Sequence, residues 1–202
     1  MRSRGLALVE LLLAIAITSM ITAAVAGITT AVARSQEFEN DRRESTVRAQ
    51  AVNARLAGYI TPSLCILNAT PSTFVLWLDD SRLSQTVHGT EIRWFSFNSL
   101  TGTLELKYVD FPAGWTQEQK DEYDVVWPNI SDWWTVLSFY EGLGFISTIR
   151  LSDGVAGFAV DYDSSTTKNK KILTFTTTFT GKLANHDVVT SSSVREYQEP
   201  IA

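Results

Sequence analysis

Arg4-Gly5-Leu6-Ala7-Leu8-Val9-Glu10-Leu11-Leu12-Leu13 sets one carboxylate at the head of a long apolar run. From Leu11 to Ala33, 23 residues pass without another charge. About 20 apolar residues suffice for a helix to cross a bilayer, so this run predicts a membrane-spanning helix. An anion at the centre of such a helix costs about 2.5–3.5 kcal/mol, so Glu10 calls for a partner. The nearest candidate is the amine that a cut after Gly5 would create. Leu6 and Glu10 are then i,i+4 neighbours at a helix N-terminus, where a carboxylate is favoured.

Beyond Ala33 the sequence turns polar without a helix breaker until Pro62. Glu39 with Arg43 and Glu44 with Arg48 stand as i,i+4 pairs in the favourable order. Ala49, Val52, Leu56 and Tyr59 recur at helical spacing and form an apolar stripe. The helix is therefore expected to continue as an amphipathic half over 34–60, ended by Gly58 and Pro62. Unbroken, it would run roughly 80 Å. Small residues in the first half (Ala23, Ala24, Gly27 and Ala31) suit close helix packing or are ordinary filler.

From residue 61 the chain reads as β-rich. Runs at Phe74–Leu78, Ile92–Phe95, Leu104–Tyr108, Val136–Tyr140, Ile146–Leu151, Gly157–Tyr162 and Ile172–Thr180 predict strands, with Val188–Tyr197 as a final one. Asn98–Gly102 reads as a hairpin loop. Leu173, Phe175 and Phe179 alternate with Thr174, Thr176 and Thr178, which predicts an antiparallel sheet with one wet face. Its dry face is expected to lie on the amphipathic half of the helix. The fold class is therefore α+β, a long N-terminal helix packed on an antiparallel sheet.

An insert at 111–134 interrupts the strands and holds four of the six tryptophans, Trp115, Trp127, Trp133 and Trp134. Thr116 and Gln119 have capping-box spacing, predicting a short helix at Gln117–Tyr123. The rings are either a binding surface for a partner or sugar, or a loop pinned over the sheet by its own side chains. Average burial of large aromatics favours the second.

Arg-Gly-Leu-Ala-Leu-Val-Glu-Leu-Leu resembles the type III leader of type IV pilins and type II secretion pseudopilins. The resemblance implies that residues 1–5 are a leader and that a prepilin peptidase cuts between Gly5 and Leu6. It also implies that Leu6 becomes the N-methylated first residue and that Glu10 serves assembly. The family usually has Phe or Met, then Thr, after the cut, where this chain has Leu6 and Ala7. In the later half, Leu151-Ser152-Asp153-Gly154-Val155, Phe158–Asp163 and Ser193-Val194-Arg195 are similar in order to J-type minor pseudopilins and W-type minor pilins. The implied architecture is a 6–33 membrane and filament-core helix, its 34–60 continuation and a 61–202 periplasmic domain. The implied role is a structural subunit that is no enzyme, held in the inner membrane by one span and then in a pseudopilus or pilus. Its implied partners are the peptidase and other pilin-like subunits. Arg2 and Arg4 would hold the extreme N-terminus on the cytoplasmic side.

Two other readings stay open. An ordinary secretory signal would end at Ala24-Val25-Ala26 or Ala31-Val32-Ala33, though its apolar core is normally 7–15 residues. A membrane-tethered domain could instead hold a ligand on its tryptophan-rich insert. Residues 61–202 carry ten Lys/Arg against 17 Asp/Glu. That acidity argues against nucleic acid, whose binding needs clustered cations. Lys168, Lys170 and Lys171 read as a solvated turn.

Catalytic signatures are missing from the sequence. His88 and His186 are isolated, there is no His-Glu-x-x-His, and Gly142-x-Gly144 lacks a third glycine. Cys65 is the sole cysteine, so no internal disulfide or cysteine metal site can form, and it reads as a small buried residue. Asp80 to Glu91 has the span of a calcium loop, but Arg82 and Gln85 occupy ligand and glycine positions, so no metal or cofactor is expected there. Asp79 with Asp80, and Asp161 with Asp163, cannot be called catalytic without a cleft. Asn68-Ala69-Thr70 and Asn129-Ile130-Ser131 match the glycosylation triplet, a pattern that also arises by chance.

Overall fold

The structure is a computed structural model and describes residues 3–128, 131–163, 171–182 and 184–201. Lys168, Lys170 and the Asn129-Ile130 pair fall outside those residues. The first element, α1 (Ser3–Ile60), is the expected long helix. The chain divides into two compact units, Met1–Arg43 and Glu44–Ala202. In the second unit Ser45, Ala49, Val52, Leu56 and Ile60 are all buried, at i, i+4, i+7, i+11 and i+15. Ile60 completes the stripe in place of Tyr59, which is half-buried with its ring edge-on to Phe95 at 5.8 Å. Of the two predicted helix ion pairs, Glu44–Arg48 closes at 2.6 Å. The helix stops because the residue before a proline avoids the α region, and Thr61 precedes Pro62. Ser63 then caps the end, its Oγ donating to the Ile60 carbonyl at 2.6 Å.

Among the described residues, ten strands, two short α-helices and a 3-10 turn at Gly89–Glu91 follow: β1 (Cys65–Thr70), β2 (Thr73–Trp77), β3 (Val87–His88), β4 (Ile92–Asn98), β5 (Thr103–Val109), α2 (Gln117–Tyr123), β6 (Val126–Trp127), α3 (Trp133–Gly142), β7 (Ile146–Ser152), β8 (Val155–Tyr162), β9 (Ile172–Phe179) and β10 (His186–Ser193). They make three antiparallel sheets, ordered β1-β2-β4-β5-β7, β10-β9-β8 and β3-β6. The β4–β5 hairpin is the expected one. Asn98 Oδ1 accepts from the Leu100 and Thr101 amides, and Gly102 takes φ +63° where a Cβ would press on the Val155 carbonyl at 3.0 Å.

Both faces of the main sheet pack into hydrophobic cores. Phe74, Leu76, Phe95, Leu104 and Leu106 join the α1 stripe and the inward residues of β8 and β9 in one core. Val75, Trp77, Ile92, Trp94 and Val109 point the other way, into a second core with Trp133, Val136, Leu137 and Tyr140 of α3. Phe74-Val75-Leu76-Trp77 is apolar at every position, which is the pattern of a strand covered on both sides. The wet face belongs to the smaller sheet: Leu173, Phe175 and Phe179 of β9 are fully buried while Thr174, Thr176 and Thr178 are half-buried. Phe74 stacks on Phe95 at 4.4 Å and tilts onto Phe175 at 5.4 Å, locking the two sheets together.

Val136–Tyr140, expected as a strand, is part of α3. Asp132 caps that helix by accepting from the Trp134 amide and the Thr135 hydroxyl, and its buried face is Trp133, Val136, Leu137 and Tyr140. That spacing is helical, and a five-residue apolar run hides it. The final strand is β10, which begins at His186 and ends at Ser193, short of the expected Tyr197. Strands β1, β3 and β6 had no counterpart in the sequence reading.

Candidate functional site

Gly5 and Leu6 lie in the first turns of α1, and Glu10 lies one turn further on, exposed. The side chains before Leu8 are not among those described. Among the described residues no ion pair reaches Glu10. The Gly5–Leu6 peptide is helical, so cutting it would leave Leu6 as the first residue of the helix. The new amine would then carry the positive end of the helix dipole, with the Glu10 carboxylate one turn away.

From Leu8 to Asn40 every residue of the helix is exposed. Leu8, Leu12, Ile15, Met20, Ile21, Val25, Ile28 and Val32 are each at least half exposed. A segment of α1 is long and apolar enough to cross a membrane, with mean hydropathy 2.3 over its best 18-residue window. Five of its hydroxyls are paired within the helix itself. Thr18, Thr22, Thr29 and Thr30 each donate to the carbonyl four residues back, at 2.8–2.9 Å, and Ser19 donates to Ala16. An unpaired hydroxyl in hydrocarbon costs several kcal/mol, and back-bonding removes that cost. Ala14, Thr18, Thr22 and Ala26 form a shallow small-residue groove with Ile15, Ser19 and Ala23.

In the second unit the tryptophan-rich insert is packed rather than presented. Trp133 is buried, and Trp115, Trp127 and Trp134 are half-buried against the second core. Trp115 contacts Phe111, Phe145 and Tyr123 at ring distances of 5.1–5.9 Å. Trp94 Nε1 donates to the Trp133 carbonyl at 2.8 Å. The predicted capping box on α2 is present: the Gln119 amide donates to Thr116 Oγ1 and Gln119 Oε1 accepts from the Thr116 amide.

Two carboxylates weighed as calcium ligands serve the loop itself. Asp80 accepts from the Ser84 and Gln85 amides at 2.9 and 2.7 Å. Glu91, 2% exposed, accepts from Trp77 Nε1, the His88 amide, and the Ser81 amide and hydroxyl at 2.7–3.1 Å. His88 is buried with Nδ1 donating to the Asp124 carbonyl. Asp161 and Asp163 accept backbone amides at the ends of β8 and β9.

A cleft that sequence reasoning missed lies between this loop and α2. Arg82 Nη2 sits 2.6 Å from Asp121 Oδ1 and 2.9 Å from Asp124 Oδ2, and Asp124 also accepts from the Thr90 amide and hydroxyl. Desolvation opposes the Arg82 charge, yet Asp124 and Asp121 outweigh it and hold its pKa above the ordinary value. Asp121 is held below its ordinary value by the Gln117 amide and by Arg82. The partners are 39 and 42 residues apart, beyond any local sequence signal. Arg82 pairs with both aspartates, and the cluster clips the loop to α2. Burial, with help from Glu199, pushes the Cys65 thiol up to about 12, so at neutral pH it is a protonated core residue.

Comparison with known proteins returns no matching family model, no matching curated protein and no matching solved structure.

Proposed function

We propose that this chain is a minor pilin-like structural subunit of a type II secretion pseudopilus or type IV pilus. One observation carries the reading: Gly5, Leu6 and Glu10 stand in leader spacing at the head of a helix that is exposed and apolar from Leu8 to Val32. The precursor rests in the inner membrane with its β-rich domain in the periplasm. Prepilin peptidase cuts after Gly5, and the Leu6 amine is methylated. Helices then leave the lipid and pack against those of neighbouring subunits, so apolar surface exchanges one dry environment for another. Glu10 neutralises a Leu6 amine, either its own or that of the adjacent subunit. The two-layered β domain selects the neighbours. Its tryptophans are spent on packing, which takes away the main support for a tethered ligand-binding module.

The test is the N-terminus of the mature protein, read by mass spectrometry after co-expression with a prepilin peptidase. The expected first residue is Leu6, one methyl group heavier. A chain beginning after Ala26 or Ala33 would make α1 an ordinary signal, and an uncut chain would make it a simple anchor.

A further inference from the structure

A sheet edge is a row of free amides and carbonyls, and proteins protect such rows with bulges, charges, proline or cover. Three of the four edges of the two larger sheets are protected in this way. β1 carries an irregularity between Ile66 and Asn68, and the Gln198 amide from the C-terminal segment donates to Leu64 beside it. β7 has exposed Arg150, a register shift in its pairing with β5, and the Arg55 guanidinium donating to the Leu151 carbonyl. β8 is bulged between Val155 and Gly157, and its Val160 amide is taken by the Pro71 carbonyl. β10 differs. All eight residues, His186-Asp-Val-Val-Thr-Ser-Ser-Ser193, pair with β9 in unbroken register. The strand has no proline, lysine or arginine, and its one carboxylate, Asp187, accepts from the Thr178 hydroxyl of β9 at 2.6 Å. Among the described residues no backbone bond from another element covers its outer side. Val189 lies 64% exposed at mid-strand.

We propose that β10 is a self-pairing edge, through which two copies of this chain join their three-stranded sheets into one six-stranded antiparallel sheet. A closed two-fold interface must be self-complementary, and the strand meets that demand in one register. The axis stands perpendicular to the sheet, so wet face meets wet face and paired residue numbers sum to an even value. Centred on Val189, the exposed valines stack on each other, Asp187 meets Ser191, and Val188 meets Thr190. No like charges oppose, and a hydroxyl faces each carboxylate. Centring on Val188 would set Asp187 against Val189. Centring on Thr190 would set Val189 against Ser191. Both waste the apolar contact that stabilises cross-strand pairs.

The inference is independent of the filament reading, and its test uses the uncut full-length chain in detergent micelles without peptidase. Directly opposed strand residues have Cα atoms about 4.5–5.5 Å apart, within the range a disulfide spans. Val189→Cys is expected to form a disulfide-linked dimer under mild oxidation, while buried Cys65 stays silent. Ser193→Cys places its two thiols roughly 27 Å apart, from eight residues of strand rise, and is expected to stay uncrosslinked. Val189→Lys, at an exposed site that tolerates it, is expected to halve the protein mass in sedimentation equilibrium with an unchanged near-UV spectrum. The proposal is overturned if Val189→Cys stays monomeric, if Ser193→Cys crosslinks as fast, or if Val189→Lys leaves the mass unchanged.

Discussion

Replacing Glu91 by alanine removes the acceptor that ties the 78–91 loop to the second core. Four donors converge on this carboxylate, and they divide by environment. Trp77 is fully buried and His88 is 6% exposed, so the indole N–H and the His88 amide would lose their acceptor away from water. Ser81 is exposed, and its amide and hydroxyl would turn to solvent. Each stranded buried donor costs about 1–3 kcal/mol, so the two together cost about 4 kcal/mol. With a urea slope of about 2 kcal/mol per molar, the midpoint should fall by about 2 M. Glu91→Gln keeps one acceptor oxygen, which turned toward Trp77 and His88 still serves both buried donors, so its loss should be much smaller than that of Glu91→Ala. The control is Glu141→Ala, which breaks the exposed Lys107 pair at 2.7 Å. Exposed ion pairs contribute about 0–1 kcal/mol. Urea unfolding of the full-length protein in micelles, followed by tryptophan fluorescence, reads all three. A Glu91→Ala midpoint no lower than that of Glu141→Ala would refute the account of the loop.

Gly5→Ala should block N-terminal processing, while Glu10→Ala should be processed normally but enter filaments poorly; Edman degradation and sheared-filament immunoblots separate the two effects. Cys65 has a folded pKa of about 12 against an ordinary 9.0. Above pH about 9 the unfolded thiol ionises while the folded one keeps its proton, so this contribution is complete below that pH and lost as pH climbs toward 12, by up to about 1.4 kcal/mol per unit. Wild type should therefore lose more stability than Cys65→Ala between pH 8 and pH 10 in urea titrations, and parallel losses would contradict the burial argument. Gly89→Ala would drive a Cβ into the ring of Tyr140, which is fully buried. Overpacking of this kind costs about 1–3 kcal/mol, seen as a lower thermal midpoint.

The long helix and its stop were legible because their causes are local. An uncharged run, i,i+4 pairs and a proline act within a few residues of one another. The α2 capping box was legible for the same reason, since Thr116 and Gln119 meet within one turn. Val136–Tyr140 misled because five apolar residues suit a strand or a helix equally. The deciding contacts, Trp133 and Tyr140 against the main sheet, come from far along the chain. The candidate site divides in the same way. Gly5, Leu6 and Glu10 are singled out by local spacing, whereas the Arg82–Asp121–Asp124 cluster is assembled from residues 39 and 42 positions apart.

Sequence alone determined the span-length apolar helix, its amphipathic half and the β-rich acidic remainder, because hydropathy, spacing and backbone sterics act along the chain. Tertiary structure decided that both faces of the main sheet pack into cores, that the tryptophans pack against the second core, and that β10 carries no backbone cover on its outer side among the described residues. Those outcomes depend on which strands pair and what covers them, and pairing is settled by contacts between residues tens of positions apart.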